Sequence, residues 1–587
     1  MGATDTIGRM MASVGLSAPA ISFRHSFDIV NAGVLLSLPA LLAQGLLQQA
    51  EAQFSLPNGY YRLNSIFLLL SFMALARVKS VESLRYCAPG EWGKVLGLDR
   101  VPEVRTLRQK IALLAVDKKP VTWSAELCRQ WMKAAPEQAG ALYVDGHVRV
   151  YHGELAHLPR RYVAREKLCL RASVDYWVNA MDGQPFFFAH KDISSGLINA
   201  LENDIVPRLL EDVPNQPSAE TLEANPLLHR FTVIFDREGY SPELFLSLKN
   251  KRVACISYHK FPEKDWSTDE FHTCQVKMPS GQTVEMKLAE RGIWLRKLWL
   301  REVRRLTEAG HQTSVISTDY QSDATRLAAR MFARWSQENF FKYMRENFNL
   351  DRLAEYGVED IPGAETIKVI NPEYRRLDQE VRKAQGELNR KHAEVGALMM
   401  PLLNSPAANL DSFQEKKSAL DENVTACSNH VLRLKADRKA VPRHITLDQL
   451  PDKERFTRCL PQAKHLLDTI KMVAYRAETA MANILKEKMA RGSDDARSLL
   501  RAIYTTEADL IPNKGEKTLT VRLHHLANRS SDDAIRYLCS ELNSTETIFP
   551  DTDLRLLYEF VADSNNQSDT PLATQHMAAA DDKSSTG

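Results

Sequence analysis

Three carboxylates stand where this sequence could use them for chemistry: Asp145 in YVDGH, Asp236 in IFDREG and Glu338 in ARWSQENFF. Asp236 closes an apolar run, Phe231 to Phe235, that reads as a fully buried strand. A charge at such a place is costly unless it is paired or meets a cation. Asp145 interrupts a second apolar strand, and Glu338 lies on a helical run beside Phe340 and Phe341. Three convergent carboxylates can hold two Mg²⁺ or Mn²⁺ ions, because these hard cations prefer oxygen ligands and keep waters that a phosphate can replace. Two such ions activate an attacking hydroxyl and stabilise the leaving oxygen of a phosphodiester. Singly, each acid reads as a helix cap or a surface group. Asp319, ending SVISTDY, is a rival for the third position.

The surrounding elements must bring these acids together. ALYVDGHVRVYHG reads as a strand that turns near Asp145–Gly146 or just after, and KLCLRASVDYWVNAMDGQPFFFAH as two strands joined at Asp182–Gly183. SSGLINALENDIVPRLLEDV has Leu197, Ile198, Leu201, Ile205 and Leu209 near helical spacing. The Phe231–Phe235 strand follows, then a helix over Pro242–Leu248, the strand VACISYHK, three hairpin-like segments and a long helix from Asp323 to Glu346. A three-strand meander followed by alternating helix and strand predicts a mixed-sheet α/β domain over 139–350, ribonuclease-H-like, with a β-rich insertion at about 266–315. A doubly wound nucleotide fold would carry a glycine-rich first loop, which is absent. In the predicted sheet the first and fourth strands are neighbours and a late helix packs against them, so the three acids converge.

Around Glu338 the spacing becomes specific. Arg334, three residues, Glu338, six residues, Arg345 resembles the DDE transposases of bacterial insertion sequences, in the group whose last catalytic helix is marked by tyrosine, arginine, glutamate and lysine (the YREK signature). Met331 stands where the tyrosine would be and Arg345 replaces the lysine. The missing tyrosine bears on a phosphate contact, not on the metal site, and arginine keeps a phosphate partner with a different geometry. The resemblance covers about residues 140–350 and extends to the β-rich insertion. It implies Asp145, Asp236 and Glu338 as catalytic metal ligands, Arg334 orienting Glu338 or meeting a phosphate, and Arg345 contacting transposon-end DNA. It further implies cut-and-paste cleavage and strand transfer on double-stranded DNA, a homodimer in the DNA complex, and a bacterial cytoplasmic, nucleoid-associated setting. Two readings compete: a transposase-derived DNA-binding protein without catalysis, and a Mg²⁺-dependent nuclease that cuts without joining.

Basic residues mark a DNA path. RGIWLRKLWLREVRRL sets Arg291, Arg296, Lys297, Arg301, Arg304 and Arg305 around Trp294 and Trp299, a composition suited to stacking bases and neutralising phosphates. The same pattern also suits a half-buried hairpin with core tryptophans. Arg160, Arg161, Arg165, Lys167 and Arg171 form a second cluster after the first aspartate. Over 26–138 the pattern is helical, and the helix beginning near Pro102 carries Arg105 and Arg108 as a candidate DNA-reading helix after a short turn.

Beyond the central region, heptad-spaced Leu377, Val381, Ala384 and Leu388, then Leu420, Val424, Cys427, Val431 and Leu434, predict an antiparallel helical arm over 371–440 turning at PLLNSPAANL. Residues 445–565 read as a mostly helical unit with KTLTVRLHHL as a strand, and 1–25 and 566–587 as flexible ends. MGATDT also fits a myristoylation pattern that short sequences often match by chance.

At 587 residues the chain needs several packed units. Its net charge of +2 confines any nucleic-acid surface to local patches. Eight scattered cysteines, none in a C-x-x-C pair, argue against a zinc ribbon or a disulfide framework and for a reduced compartment. The apolar runs Gly33–Leu47 and Ile66–Ala76 fall short of the roughly 20 residues of a membrane span, so no membrane partner is expected.

Overall fold

A computed structural model of the chain describes residues 5–16, 21–191, 193, 196–352, 357–404, 410–452, 454–489, 492–526 and 529–560. The start of MGATDT, the middle of PLLNSPAANL and the tail 566–587 lie outside them. Two compact units are present: residues 1–150, 173–355 and 460–587 form the first, and residues 151–172 and 356–459 the second.

The first unit mixes sheet and helix. A helix, Thr6–Ser13, precedes β1 (Ser26–Ile29); a series of helices follows, then β2 (Ala141–Val150). β3 (Arg160–Val163) lies in the second unit, and β4 (Leu168–Ala180) starts there and continues in the first. β5 (Pro185–Lys191), β6 (Thr232–Phe235), β7 (Ala254–Tyr258), β8 (His272–Lys277), β9 (Thr283–Leu295), β10 (Leu298–Leu306) and β11 (Gln312–Ser317) follow. The second unit adds β12 (Val358–Asp360), β13 (Lys368–Ile370), β14 (His444–Thr446) and β15 (Thr457–Cys459). The first unit ends with β16 (Ala508–Asn513), β17 (Thr518–Leu523) and β18 (Arg555–Phe560).

The main sheet runs β4-β2-β6-β7-β11-β10-β9-β8, with β5 also on β4. β2, β6 and β7 are parallel, and all four residues of β6 are buried, as expected of a central strand covered on both faces. A second sheet, β1-β16-β17-β18, ties residues near the start of the chain to its last strands. The N-terminal helices, the central sheet and the C-terminal helix Pro461–Leu485 share one hydrophobic core, from Phe23 to Tyr558. The segments predicted as separate helical regions before and after the central domain therefore complete its interior, and the stretch 445–565 carries more strand than its pattern suggested.

Three local expectations need correction. β2 runs straight through Asp145–Gly146 without a turn. Gly146 is there for close packing, since a Cβ would come within 3.0 Å of the Tyr176 ring on β4. The amphipathic helix after β5 is broken by a π-helical turn, Leu201–Ile205, just before Pro207, where the ring removes a donor and crowds the preceding turn. The long helix over 323–346 is two helices, Ala324–Phe332 and Trp335–Phe348. Between them Arg334 N, Ser336 N and Gln337 N bond three residues back, which tightens and re-aims the backbone.

In the second unit, helices Pro372–Asn404 and Leu410–Ala440 pack along a seam of Ala384, Leu388, Val424, Cys427, Val431 and Leu434.

Candidate active site

Register fixes where the first two acids stand. Val144, Phe235 and Ser257 are lateral partners on β2, β6 and β7. The next residues, Asp145 within β2, Asp236 just after β6 and Tyr258 at the end of β7, therefore stand side by side on one face of neighbouring parallel strands. Two residues earlier on that face, Tyr143, Ile234 and Ile256 pack in one core with Leu327, Ala328 and Met331 of the helix Ala324–Phe332. That helix leads, through the tightened turn after it, to Arg334, which reaches Asp145, and to Glu338, one turn further on and held by the same arginine.

Arg334 joins the set. Its Nη1 donates to Asp145 Oδ2 at 3.2 Å and its Nη2 to Glu338 Oε1 at 3.3 Å. Burial pushes the Asp145 carboxyl up to about 6; Arg334 opposes this, while the negative charges of Asp236 and Glu238 add to it. Asp236 caps the single turn Arg237–Gly239, its Oδ1 accepting from Glu238 N at 2.8 Å, and its carbonyl accepts from Ser257 Oγ at 3.1 Å. The Tyr258 hydroxyl is raised by burial, and the charges of Arg334, Glu338, Arg237 and Asp236 all act on it. Glu338 has a side chain 62% exposed and turned onto Arg334. The donors are all carboxylate oxygens, the class that Mg²⁺ and Mn²⁺ prefer.

Among the described residues, one group of three potential ligands closes to within 4.8 Å, and it is Asp28, Asp509 and His524 rather than the acidic triad. Its imidazole has Nε2 3.1 Å from Asp509 and Nδ1 3.7 Å from Asp28, so both ring nitrogens already face carboxylates and tie β1 to β16 and β17.

Further residues that sequence patterns left unassigned surround the acids. Glu238 Oε1 accepts from Leu197 N at 3.1 Å and from Tyr176 Oη at 3.3 Å; its spacing of two from Asp236 was the available signal. His147, two residues beyond Asp145 on the same face of β2, stacks on Phe341 at 5.1 Å and lies 2.6 Å from Asp351. Farther along the helix Trp335–Phe348, Tyr343 donates its hydroxyl hydrogen to Glu478, a fully buried carboxylate on Pro461–Leu485. Arg77 and Arg497 pair with the same carboxylate at 2.6 and 3.0 Å. One buried anion thus clamps the Glu338 helix from N-terminal and C-terminal parts of the chain.

Asp319 does not share the site. β11 is antiparallel to β7, so Asp319 emerges by the opposite strand ends from Asp236. There it is fully buried, accepting from Ser322 Oγ at 2.6 Å and Arg330 Nη1 at 3.0 Å.

The expected DNA contacts divide by surroundings. Arg345, two turns after Glu338, is half-buried, with Nε 3.4 Å from Phe341 O. At the β9–β10 tip Trp294 faces Trp299 across the strands, and both are exposed, at 72% and 40%. Arg296 (φ +56°) and the exposed Lys297 make the two-residue turn between them, with Arg296 paired to Glu243. The rest of that basic run is engaged: Arg291 with Glu270, Arg301 with Glu290, buried Arg304 with Glu302 at 2.8 Å, and Arg305 over the Phe332 ring at 5.3 Å. Arg105 and Arg108 are exposed on the helix Val104–Leu114, whose Val104, Leu107, Ile111 and Leu114 face the core, and Arg108 pairs with Glu82 at 2.6 Å.

A protein-family model described as "Transposase protein" matches residues 1–562. No curated protein matches the chain.

Proposed function

The chain belongs to this transposase family, and from that premise we propose that it is a DDE-type enzyme with a ribonuclease-H-like catalytic domain, cutting and joining the DNA of an insertion sequence. The observation that carries the reading is the register row. Asp145 and Asp236 stand next to each other on one face of adjacent parallel strands, and a single guanidinium reaches both Asp145 and Glu338. The neighbouring positions of β2 and β6, the first and fourth strands of the domain, and the helix pair packed over them support the fold assignment. The Arg334–Glu338–Arg345 spacing supports the YREK group.

Asp145, Asp236 and Glu338 would hold Mg²⁺ or Mn²⁺, two ions in the complete site, which supply activation of the attacking oxygen and stabilisation of the leaving one. The side chains do the positioning. Arg334 spans Asp145 and Glu338 and keeps their charges from driving them apart. The chemistry is hydrolysis of a phosphodiester to free a 3′-hydroxyl, whose oxygen then attacks a phosphodiester of target DNA while that strand's own 3′-oxygen leaves. Trp294 and Trp299 offer rings to bases at the element's end, with Arg296, Lys297 and Arg345 for its phosphates. Arg105 and Arg108 would add contacts to flanking DNA. Two protomers acting together would hold the two ends of the element in a bacterial cytoplasm. Among the described residues no helix is long and apolar enough to cross a membrane.

The test uses purified full-length protein and linear DNA carrying the gene's own flanks, with Mg²⁺ or Mn²⁺, and sequences every new end and junction. Metal-dependent ends at one flanking position, joined into new sites and absent with Asp236→Ala, are expected. Cutting without joining would favour the nuclease reading, and equal cutting by Asp236→Ala would overturn the site.

A further inference from the structure

The second unit contains a short hairpin on which two arginines stand directly opposite each other. β3 pairs with the first residues of β4 in the register Arg160↔Arg171, Arg161↔Leu170, Tyr162↔Cys169 and Val163↔Leu168. Alternation puts Arg160, Tyr162, Cys169 and Arg171 on one face. Arg160, Tyr162 and Cys169 are exposed, Tyr162 at 62%, and Arg171 is half-buried. Arginines directly opposite each other repel, and sheets ordinarily avoid such pairs. Among the described residues no carboxylate forms an ion pair with Arg160, Arg171 or Lys167, and Arg160 reaches only the Cys169 carbonyl, at 3.5 Å. The connecting loop adds Arg165, which lies 3.6 Å from Glu166, and Lys167 at φ +53°. Residues 151–172 hold five Lys or Arg against two acids, in a chain whose net charge is only +2.

The hairpin is also held firmly. Thr457 Oγ1 accepts from His157 N at 2.8 Å, Thr457 N donates to His157 O at 3.1 Å, and the His157 and Phe456 rings meet edge to face at 5.7 Å. Tyr151 N donates to Arg171 O at 2.8 Å, while the Tyr151 hydroxyl accepts from Ala156 N at 2.9 Å. A cationic face fixed at its base is preorganised for a rigid polyanion.

We infer that the Arg160–Arg171 face of this hairpin is a docking surface for the backbone of double-stranded DNA, separate from the residues assigned to cutting. Two guanidiniums at cross-strand spacing, with a phenol hydroxyl on the same face, offer donors to consecutive phosphates and no base-reading geometry. Bound phosphate supplies the missing countercharge and relieves the arginine pair. A single exposed tyrosine is too little aromatic surface for a single-strand stacking track. The inference rests on the reading of the chain as a protein that acts on DNA.

The experiment measures binding of full-length protein to a linear duplex without divalent metal, from 50 to 300 mM salt, by fluorescence anisotropy, for wild type, R160A/R171A and R160K/R171K. Each phosphate contact contributes about 0.9 to the slope of log K against log salt. The alanine pair is expected to lower that slope by about 1.8 and weaken binding at least tenfold at moderate salt. The lysine pair should retain the slope, with melting temperatures unchanged or raised in both. An alanine pair with wild-type slope and affinity overturns the inference while leaving the transposase reading intact. Wild type without measurable duplex affinity overturns both. Selective loss of polyglutamate binding, with duplex binding unaltered, would assign the face to an acidic protein and also overturn it.

Discussion

Arg334 Nη1 lies 3.2 Å from Asp145 Oδ2, although 189 positions separate them in the chain. The second arm of the same guanidinium is 3.3 Å from Glu338, so this arginine is the physical link between strand and helix in the candidate site. Truncating it should remove the restraint on both carboxylates and leave Asp145 beside Asp236 without a nearby cation. Arg334→Ala is expected to lower single-turnover DNA cleavage by about two orders of magnitude, in the range seen when a positioned electrostatic group is lost. Arg334→Lys should recover little, because one ammonium cannot span both carboxylates. Wild-type cleavage by the alanine variant would remove Arg334 from the site.

The raised carboxyl of Asp145 makes a stability prediction with a definite sign. Its folded value of about 6 lies above the ordinary 3.8, so between those values the folded state binds the extra proton. Stability of the metal-free protein should therefore fall as pH rises from about 4 to 6 and level off above. The ceiling is about 3 kcal/mol, reduced because the side chain is 21% exposed. Asp145→Asn should flatten that segment in urea unfolding at pH 4.5 and 7. An unchanged pH slope in the variant would contradict the assignment.

At the β9–β10 tip Trp294 is 72% exposed, while Trp299 stacks on Tyr320 at 5.5 Å. Trp294→Ala should change stability by less than about 0.5 kcal/mol yet weaken binding to element-end DNA by about 1–3 kcal/mol if a base stacks there. Gly292→Ala tests the neighbour, since a Cβ would come within 2.5 Å of the Trp299 ring and push it from its place on Tyr320. Melting and anisotropy together separate the two effects.

The buried carboxylate of Glu478 should behave in the opposite way. Glu478→Ala leaves Arg77 and Arg497 without their carboxylate and frees Tyr343, and breaking a buried pair of this kind costs about 3–5 kcal/mol. Chemical unfolding should register that loss. Tyr343→Phe, which removes only the hydroxyl, should cost about 1 kcal/mol.

Much of this arrangement could be read from residue order. β6, β7 and β10–β11 announced themselves through apolar runs and turn residues, and β2 lies beside β6, as expected of the first and fourth strands of the sheet assumed from the pattern. What escaped had non-local causes. The continuation of β2 through Asp145–Gly146 depends on Tyr176 of another strand. The break before Trp335 depends on packing of two helices, and nothing in RMFARWSQ marks it. Arg304 looked like its neighbours in a basic run, but it is 1% exposed and pairs with Glu302 beneath Trp266. Short strands such as β16 and β18 lack enough residues for alternation to stand out, and they form because β17 lies between them.

The small sheet that joins β1 to β16, β17 and β18 has a consequence for synthesis. A ribosome that has reached residue 350 has made every acid of the candidate site, yet β1 still lacks its partner and Tyr343 still lacks Glu478. The Glu338 helix becomes clamped only when the C-terminal helices emerge, and the second sheet closes later still, at residues 555–560. A nascent chain therefore carries all three acids before the helix that bears one of them is held in place.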